Sequence, residues 1–234
     1  MPIKAVLFDF IGTVVIEQDP IVLNWCFVEA FKDHNANVSV EVIRANRGKD
    51  KKQMIGDILS GASLPLHLTE PVLDSFRERL ANALDNFREN EGATTLMNDL
   101  VKSGIRIGLG TGLPRDTFEA IFNYLGWHEK HFDYIGIAEE MANGRPHPDM
   151  IFDMMKKLGL GVDELIKVGD TVADIQEGRN AGVMTVAVLS GTQDEQDIRY
   201  QKPDFVIRSL KELREIIGFE KNQDTKTKNQ KNSK

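Results

Sequence analysis

With one cysteine, Cys26, in 234 residues, the chain has no internal disulfide framework, and a reducing compartment is the expected setting. Cys26 sits in the apolar run Ile21-Val22-Leu23-Asn24-Trp25-Cys26-Phe27-Val28, which predicts a buried packing residue rather than a reactive thiol. No apolar stretch is long enough to span a bilayer, and the N-terminal residues do not resemble a signal peptide. The expected location is therefore the cytoplasm, with no membrane partner. Positive charge is also scarce: 29 Lys and Arg stand against 36 Asp and Glu, a net charge of −7. That balance argues against general nucleic-acid binding, which needs a basic surface. The 41% hydrophobic and 28% charged residues are ordinary for a globular protein of this size.

Short apolar runs punctuate the sequence instead. Ile3 to Asp9, Ile105 to Leu109, Phe132 to Ile137, Leu165 to Val168 and Met184 to Val188 have the length and composition of buried strands. Helical patterns near 115–125, 148–158 and 172–181 alternate with them, predicting an α/β fold with a Rossmann-like, doubly wound parallel sheet. Residues 204–207 add a last strand and Leu210 to Ile217 a last helix. Residues 15–90 differ, with helical patterns over 40–45, 50–60 and 71–89 and no convincing strand. Asp19-Pro20 has the form of an N-cap and first-turn proline, opening a helix to about Phe31. The expected organisation is a catalytic core of residues 1–14 and 93–218, a helical cap of 15–92 over the strand ends, and a disordered, polar tail of 219–234.

Acids recur at the predicted carboxyl ends of strands, where open α/β sheets bind their ligands. Asp9 closes the first strand and is followed by Gly12 and Thr13; Asp170 and Asp174 follow the strand Leu165 to Val168. A carboxylate can act as a nucleophile, although a capping role in a loop is equally compatible with Asp9 alone. Asp170 and Asp174 are suited to a hard cation, and Mg2+ is held by one or two carboxylates with water and substrate phosphate. Thr111, followed by Gly112, could hold phosphate oxygens through its hydroxyl and nearby N–H groups. Arg145, in Gly144-Arg145-Pro146-His147-Pro148, could neutralise charge developing on a transferred group. Taken singly, Thr111 is as well explained as a turn residue and Arg145 as a solvated charge.

In this order the motifs resemble those of the haloacid dehalogenase superfamily: Asp9-Phe10-Ile11-Gly12-Thr13, Thr111, Arg145, and Gly169-Asp170 to Asp174. The resemblance spans residues 1 to about 218. It implies an Asp9 nucleophile and Mg2+ held by Asp9, the Ile11 carbonyl, Asp170 and Asp174. It also implies phosphate binding by Thr111, Gly112 and Arg145, and a homodimer through the cap as one form of assembly. Most phosphatases of the superfamily carry an acid where Ile11 stands, to protonate a leaving alkoxide. Ile11, together with Gly144-Arg145-Pro146 and the stretch from Lys167 to Gly182, is similar to the phosphonatase branch, which includes the phosphonoacetaldehyde hydrolases. That branch uses a cap lysine to form an imine with an aldehyde substrate, and Lys51, three residues after Gly48, matches its spacing. Neighbouring Arg47, Lys49 and Lys52 are expected to depress the Lys51 pKa. A solvated basic helix start accounts equally well for this lysine. Three positions depart from the branch: Arg47 replaces a methionine, Met54 a histidine, and Leu113 an aromatic residue. The resulting expectation is a Mg2+-dependent hydrolase of a small phosphonate or phosphorylated substrate. A phosphoester phosphatase, a dehalogenase and a non-catalytic binding protein are the alternatives.

Overall fold

The computed structural model describes residues 2–218; the expected disordered tail over 219–234 lies outside the described residues. Six strands form one parallel sheet: β1 (Ala5–Asp9), β4 (Arg106–Thr111), β5 (Tyr134–Ile137), β6 (Leu165–Gly169), β7 (Met184–Val188) and β8 (Phe205–Ile207). Their order is β5-β4-β1-β6-β7-β8, so the chain winds outward from β1 in both directions and creates a crevice at the ends of β1, β4 and β6. β2 (Val15–Glu17) and β3 (Phe87–Glu89) form a separate antiparallel pair. The helices are α1 (Val22–Asp33), α2 (Val40–Ala45), α3 (Lys51–Gly61), α4 (Thr69–Ala81), α5 (Ala93–Lys102), α6 (Arg115–Tyr124), α7 (Asp149–Leu158), α8 (Val172–Ala181), α9 (Glu195–Tyr200) and α10 (Leu213–Ile217).

The sheet is covered on both faces because its side chains alternate direction. In β1, Val6 and Phe8 pack into the apolar cluster that contains Phe118 and Phe122 of α6. Ala5 and Leu7 join Tyr134, Met150 and Met154 on the opposite face. All five β1 residues are buried, as expected for a central parallel strand. The segment between β2 and β3 is helical and packs around stacked Phe27 and Phe76, whose ring centroids are 3.8 Å apart. Cys26 is fully buried there, and burial pushes its thiol up to about 11, which supports the packing role. No helix among the described residues is long and apolar enough to cross a membrane.

Three local expectations are corrected. The helix expected to open at Asp19-Pro20 begins at Val22, with Asp19 Oδ1 accepting from the Ile21 N–H in the turn before it. The helical pattern read over 71–89 ends at Ala81, and Phe87–Glu89 is strand β3. The region therefore does contain strands, but β2 and β3 are three residues each, too short for alternation to reveal them. Finally, the expected helix over 210–217 begins as a 3-10 turn, Leu210–Glu212, and becomes α-helical only in α10.

Candidate active site

Asp9 ends β1, and the chain then turns through Gly12, whose φ of +99° favours glycine. A Cβ on Gly12 would lie 2.1 Å from Asp170 Oδ2, so the missing side chain also makes room for that carboxylate. The Thr13 hydroxyl donates to Asp170 Oδ1 at 3.0 Å. Ser190 Oγ donates to the Gly12 carbonyl at 2.7 Å, and Asn90 Nδ2 donates to the Thr13 carbonyl at 2.6 Å. These contacts fix the loop after β1 from two distant parts of the chain.

Asp9, Asp170 and Asp174 are all buried, and each offers an oxygen within 4.8 Å of the others. Burial, followed by the charges of Asp9 and Asp174, raises the Asp170 carboxyl well above its ordinary range. Burial and the Asp174 charge raise Asp9 as well, against Arg145 and Lys167. Burial raises Asp174, but Lys167, Arg145 and the Thr171 hydroxyl together hold it low. Asp170 Oδ2 is buried without a hydrogen-bond partner. A crowd of buried carboxylates with an unpartnered oxygen is chemically suited to a hard divalent cation. Asp174 has the least to offer it. One oxygen contacts Arg145 and Lys167, each at 2.9 Å, and the other caps α8 through the Thr171 hydroxyl at 2.5 Å.

Arg145 is 1% exposed, which removes the solvated-charge alternative. It reaches Asp9 at 2.5 Å, Asp174 at 2.9 Å and Glu177 at 3.0 Å. Lys167 is a second fully buried cation, 2.9 Å from Asp174 and 3.1 Å from Glu177. These are close ion pairs, yet Arg145 Nε, Lys167 Nζ, Asp174 Oδ1 and both Glu177 carboxylate oxygens have no hydrogen-bond partner. Neither Lys167 nor Glu177 stood out as a functional residue in the sequence. The available signals were a lysine inside an apolar strand and an acid one turn beyond Asp174. Asn90 and Ser190 carried no comparable signal.

Thr111 is buried at the end of β4, and its Oγ1 accepts from the Leu113 N–H at 3.1 Å. The hydroxyl thus shapes the turn and keeps its proton available to another acceptor. Gly112 faces the helical segment so closely that a Cβ would lie 2.2 Å from the Lys49 carbonyl oxygen. The opposite wall carries Lys51, at the start of α3 and 5% exposed, whose Nζ donates to the Lys49 carbonyl at 2.9 Å. Burial first, then Arg47, pushes the Lys51 amine down to about 8. The alternative of a solvated helix start is therefore set aside, since the amine is buried. Lys49 and Lys52 do not contribute as expected: Lys49 points to Asn46 and Asp57, while exposed Lys52 pairs with Glu70. Asp9, Ile11, Arg47, Lys51, Thr111 and Leu113 line one cavity of about 20 Å³. That volume admits about one water, so a substrate requires the two walls to separate.

The family model of haloacid dehalogenase-like hydrolases matches residues 6–188. Phosphonoacetaldehyde hydrolase of Bacillus cereus is 27% identical over 236 residues, covering 93% of this chain and 87% of that protein. Pyrophosphatase PpaX of Halalkalibacterium halodurans is 29% identical over 221 residues, covering 93% and 98%. A solved phosphonoacetaldehyde hydrolase-like protein from Oleispira antarctica superposes with a TM-score of 0.80 at 21% identity, covering 93% of this chain and 92% of that one. The last comparison carries the fold; the family match carries the chemistry class. The chain belongs to the haloacid dehalogenase-like hydrolases.

Proposed function

We propose that this hydrolase transfers a phosphoryl group from a small substrate to Asp9 and then to water. The observation that carries this reading is the buried group of Asp9, Asp170 and Asp174 with Arg145 against Asp9. An Asp9 oxygen attacks phosphorus, the bond to the leaving group breaks, and a water later releases phosphate from the aspartyl-phosphate. Arg145, Thr111 and the N–H groups after it stabilise charge on the transferring oxygens. Asp9, Asp170 and the Ile11 carbonyl would hold Mg2+, with Asp174 positioned behind them by its two cations. When bound, the ion offsets carboxylate repulsion and phosphoryl charge. Ile11 provides no proton for a leaving alkoxide, which favours a leaving group that needs none.

Lys51 supplies such a route. Its neutral amine adds to a substrate carbonyl and loses water to form an iminium. When Asp9 takes the phosphorus, the C–P bonding electrons move into that iminium and give an enamine. Protonation of the enamine and addition of water then release the aldehyde and restore the amine. The depressed Lys51 pKa and the Bacillus cereus relative support this C–P reading. The pyrophosphatase relative favours a second one, hydrolysis of a P–O bond without Lys51 chemistry. Phosphate release from phosphonoacetaldehyde with Mg2+ tests both. The first reading expects release that collapses in Lys51→Arg and an amine trapped on Lys51 by borohydride. Release unaffected by Lys51→Arg refutes the imine, and no release from this substrate, with release from phosphate esters or pyrophosphate, favours the second reading.

A further inference from the structure

Arg47 stands on the same wall of the cavity as Lys51, and its effect on the Lys51 amine leaves its own donors toward a substrate unassigned. It is 5% exposed, and its placement is built. Glu17 Oε2 lies 2.8 Å from one terminal nitrogen. Asn24 Oδ1 accepts from the other at 3.4 Å. Glu17 is itself fixed, because its Oε1 accepts from the Leu23 N–H at 2.7 Å. Glu17 and Asn24 do not line the cavity, whereas Arg47 does. These two partners therefore hold the guanidinium from outside the cavity. A guanidinium has five N–H donors, so donors remain for a ligand.

The charges lining the cavity are unequal. Among the described residues, Asp9 is its carboxylate lining, against the cations Arg47 and Lys51. Asp9 is the group that receives phosphorus, and Arg145 already contacts it. Arg145 and Thr111 lie on the core side, where the phosphoryl group would bind, so on the phosphoryl-transfer reading Arg47, beside Lys51 on the other wall, would face the part of the substrate that leaves. Ile11, Leu23 and Leu113 are the apolar residues beside it. A fixed guanidinium recognises a carboxylate through paired N–H bonds.

The geometry points to Arg47 as the residue that selects substrates whose leaving group carries a carboxylate. This inference rests on the phosphoryl-transfer reading but not on whether a C–P or P–O bond breaks. For a carbonyl phosphonate, it places the carboxylate beside the carbonyl that Lys51 engages.

Binding of two inert phosphonates separates recognition from turnover. Phosphonoacetate carries a carboxylate; isobutylphosphonate replaces it with an apolar group of the same branching. Titration calorimetry with Mg2+ present is expected to show the wild type binding phosphonoacetate roughly tenfold to a hundredfold more tightly, the range for hydrogen bonds to charged groups. Removing Arg47 alone strands Glu17, so the test variant is Glu17→Gln with Arg47→Met. In it the ratio is expected to fall to about one. Arg47→Lys, which keeps the charge without the fork, is expected to retain only part of the preference, and Lys51→Met is expected to retain it. Absence of preference in the wild type, its survival in the double variant, or its loss only in Lys51→Met overturns the assignment to Arg47. Binding of both phosphonates without preference leaves phosphoryl transfer standing. Binding of neither overturns the Arg47 role, and if it comes with no phosphate release from any phosphoryl substrate it refutes phosphoryl transfer as well.

Discussion

Replacing Lys51 with methionine should make the metal-free protein more stable, by an amount that depends on pH. In the folded chain the amine protonates only below about 8, chiefly because it is buried; in the unfolded chain it protonates below an ordinary value of about 10.4. Below the folded value both states carry the proton, and the folded state bears the whole burden of a buried charge, about 3 kcal/mol at pH 7. Between the two values the unfolded chain binds more protons, so stability rises with pH. At pH 9 the burden has fallen to about 2 kcal/mol. The advantage of Lys51→Met over wild type should therefore shrink by about 1 kcal/mol from pH 7 to pH 9. Urea unfolding of both proteins at the two pH values, with a chelator present, measures the difference while other titrations cancel. An advantage that is constant, or that grows with pH, refutes the depressed amine. The same depression has a kinetic side: the neutral fraction rises from about a tenth at pH 7 to about nine tenths at pH 9. Imine-dependent phosphate release should rise about tenfold over that interval.

Other consequences are equally direct. Asp170→Asn removes charge from a carboxylate whose Oδ2 has no hydrogen-bond partner and should weaken Mg2+ binding, read by calorimetry, by about tenfold or more. Lys167→Met leaves Asp174 and Glu177 short of a buried cation, which should cost about 3–5 kcal/mol in urea unfolding; adding Glu177→Gln should recover much of it. Gly112→Ala places a Cβ against the Lys49 carbonyl. It should lower kcat/KM by about a hundredfold, the scale of an ångström's misplacement, measured by steady-state phosphate release.

The sheet was legible because its strands are buried on both faces, which makes them continuous apolar runs; Met184–Val188 and Val172–Ala181 occupy the positions expected of them. Asp9, Asp170 and Asp174 were legible because a strand's end can be read in sequence, and strand ends are where such a sheet gathers its acids. The cations were harder. A lysine inside Leu165-Ile166-Lys167-Val168 has no periodicity to interpret, and only the convergence of β6, α8 and the Arg145 loop shows what it balances. Arg47 was visible as a departure from related sequences, but its partner Glu17 lies thirty positions earlier and becomes adjacent only through folding. The separation of Phe87 from the preceding helix likewise required knowledge of its pairing with Glu17 across the chain.

That pairing has a consequence for how the molecule can be cut. Because Glu17 lies opposite Phe87 in an antiparallel ladder, the two ends of the intervening seventy or so residues are about 5 Å apart. A short Asn-Gly turn can bridge such a gap. Residues 18–86 are thus excisable without stretching the backbone of what remains. The shortened chain would keep Asp9, Thr111, Arg145, Asp170 and Asp174 and lose Arg47 and Lys51 together. On the proposed mechanism, the ladder would divide the residues that handle phosphorus from those that handle the rest of the substrate at a single genetic seam.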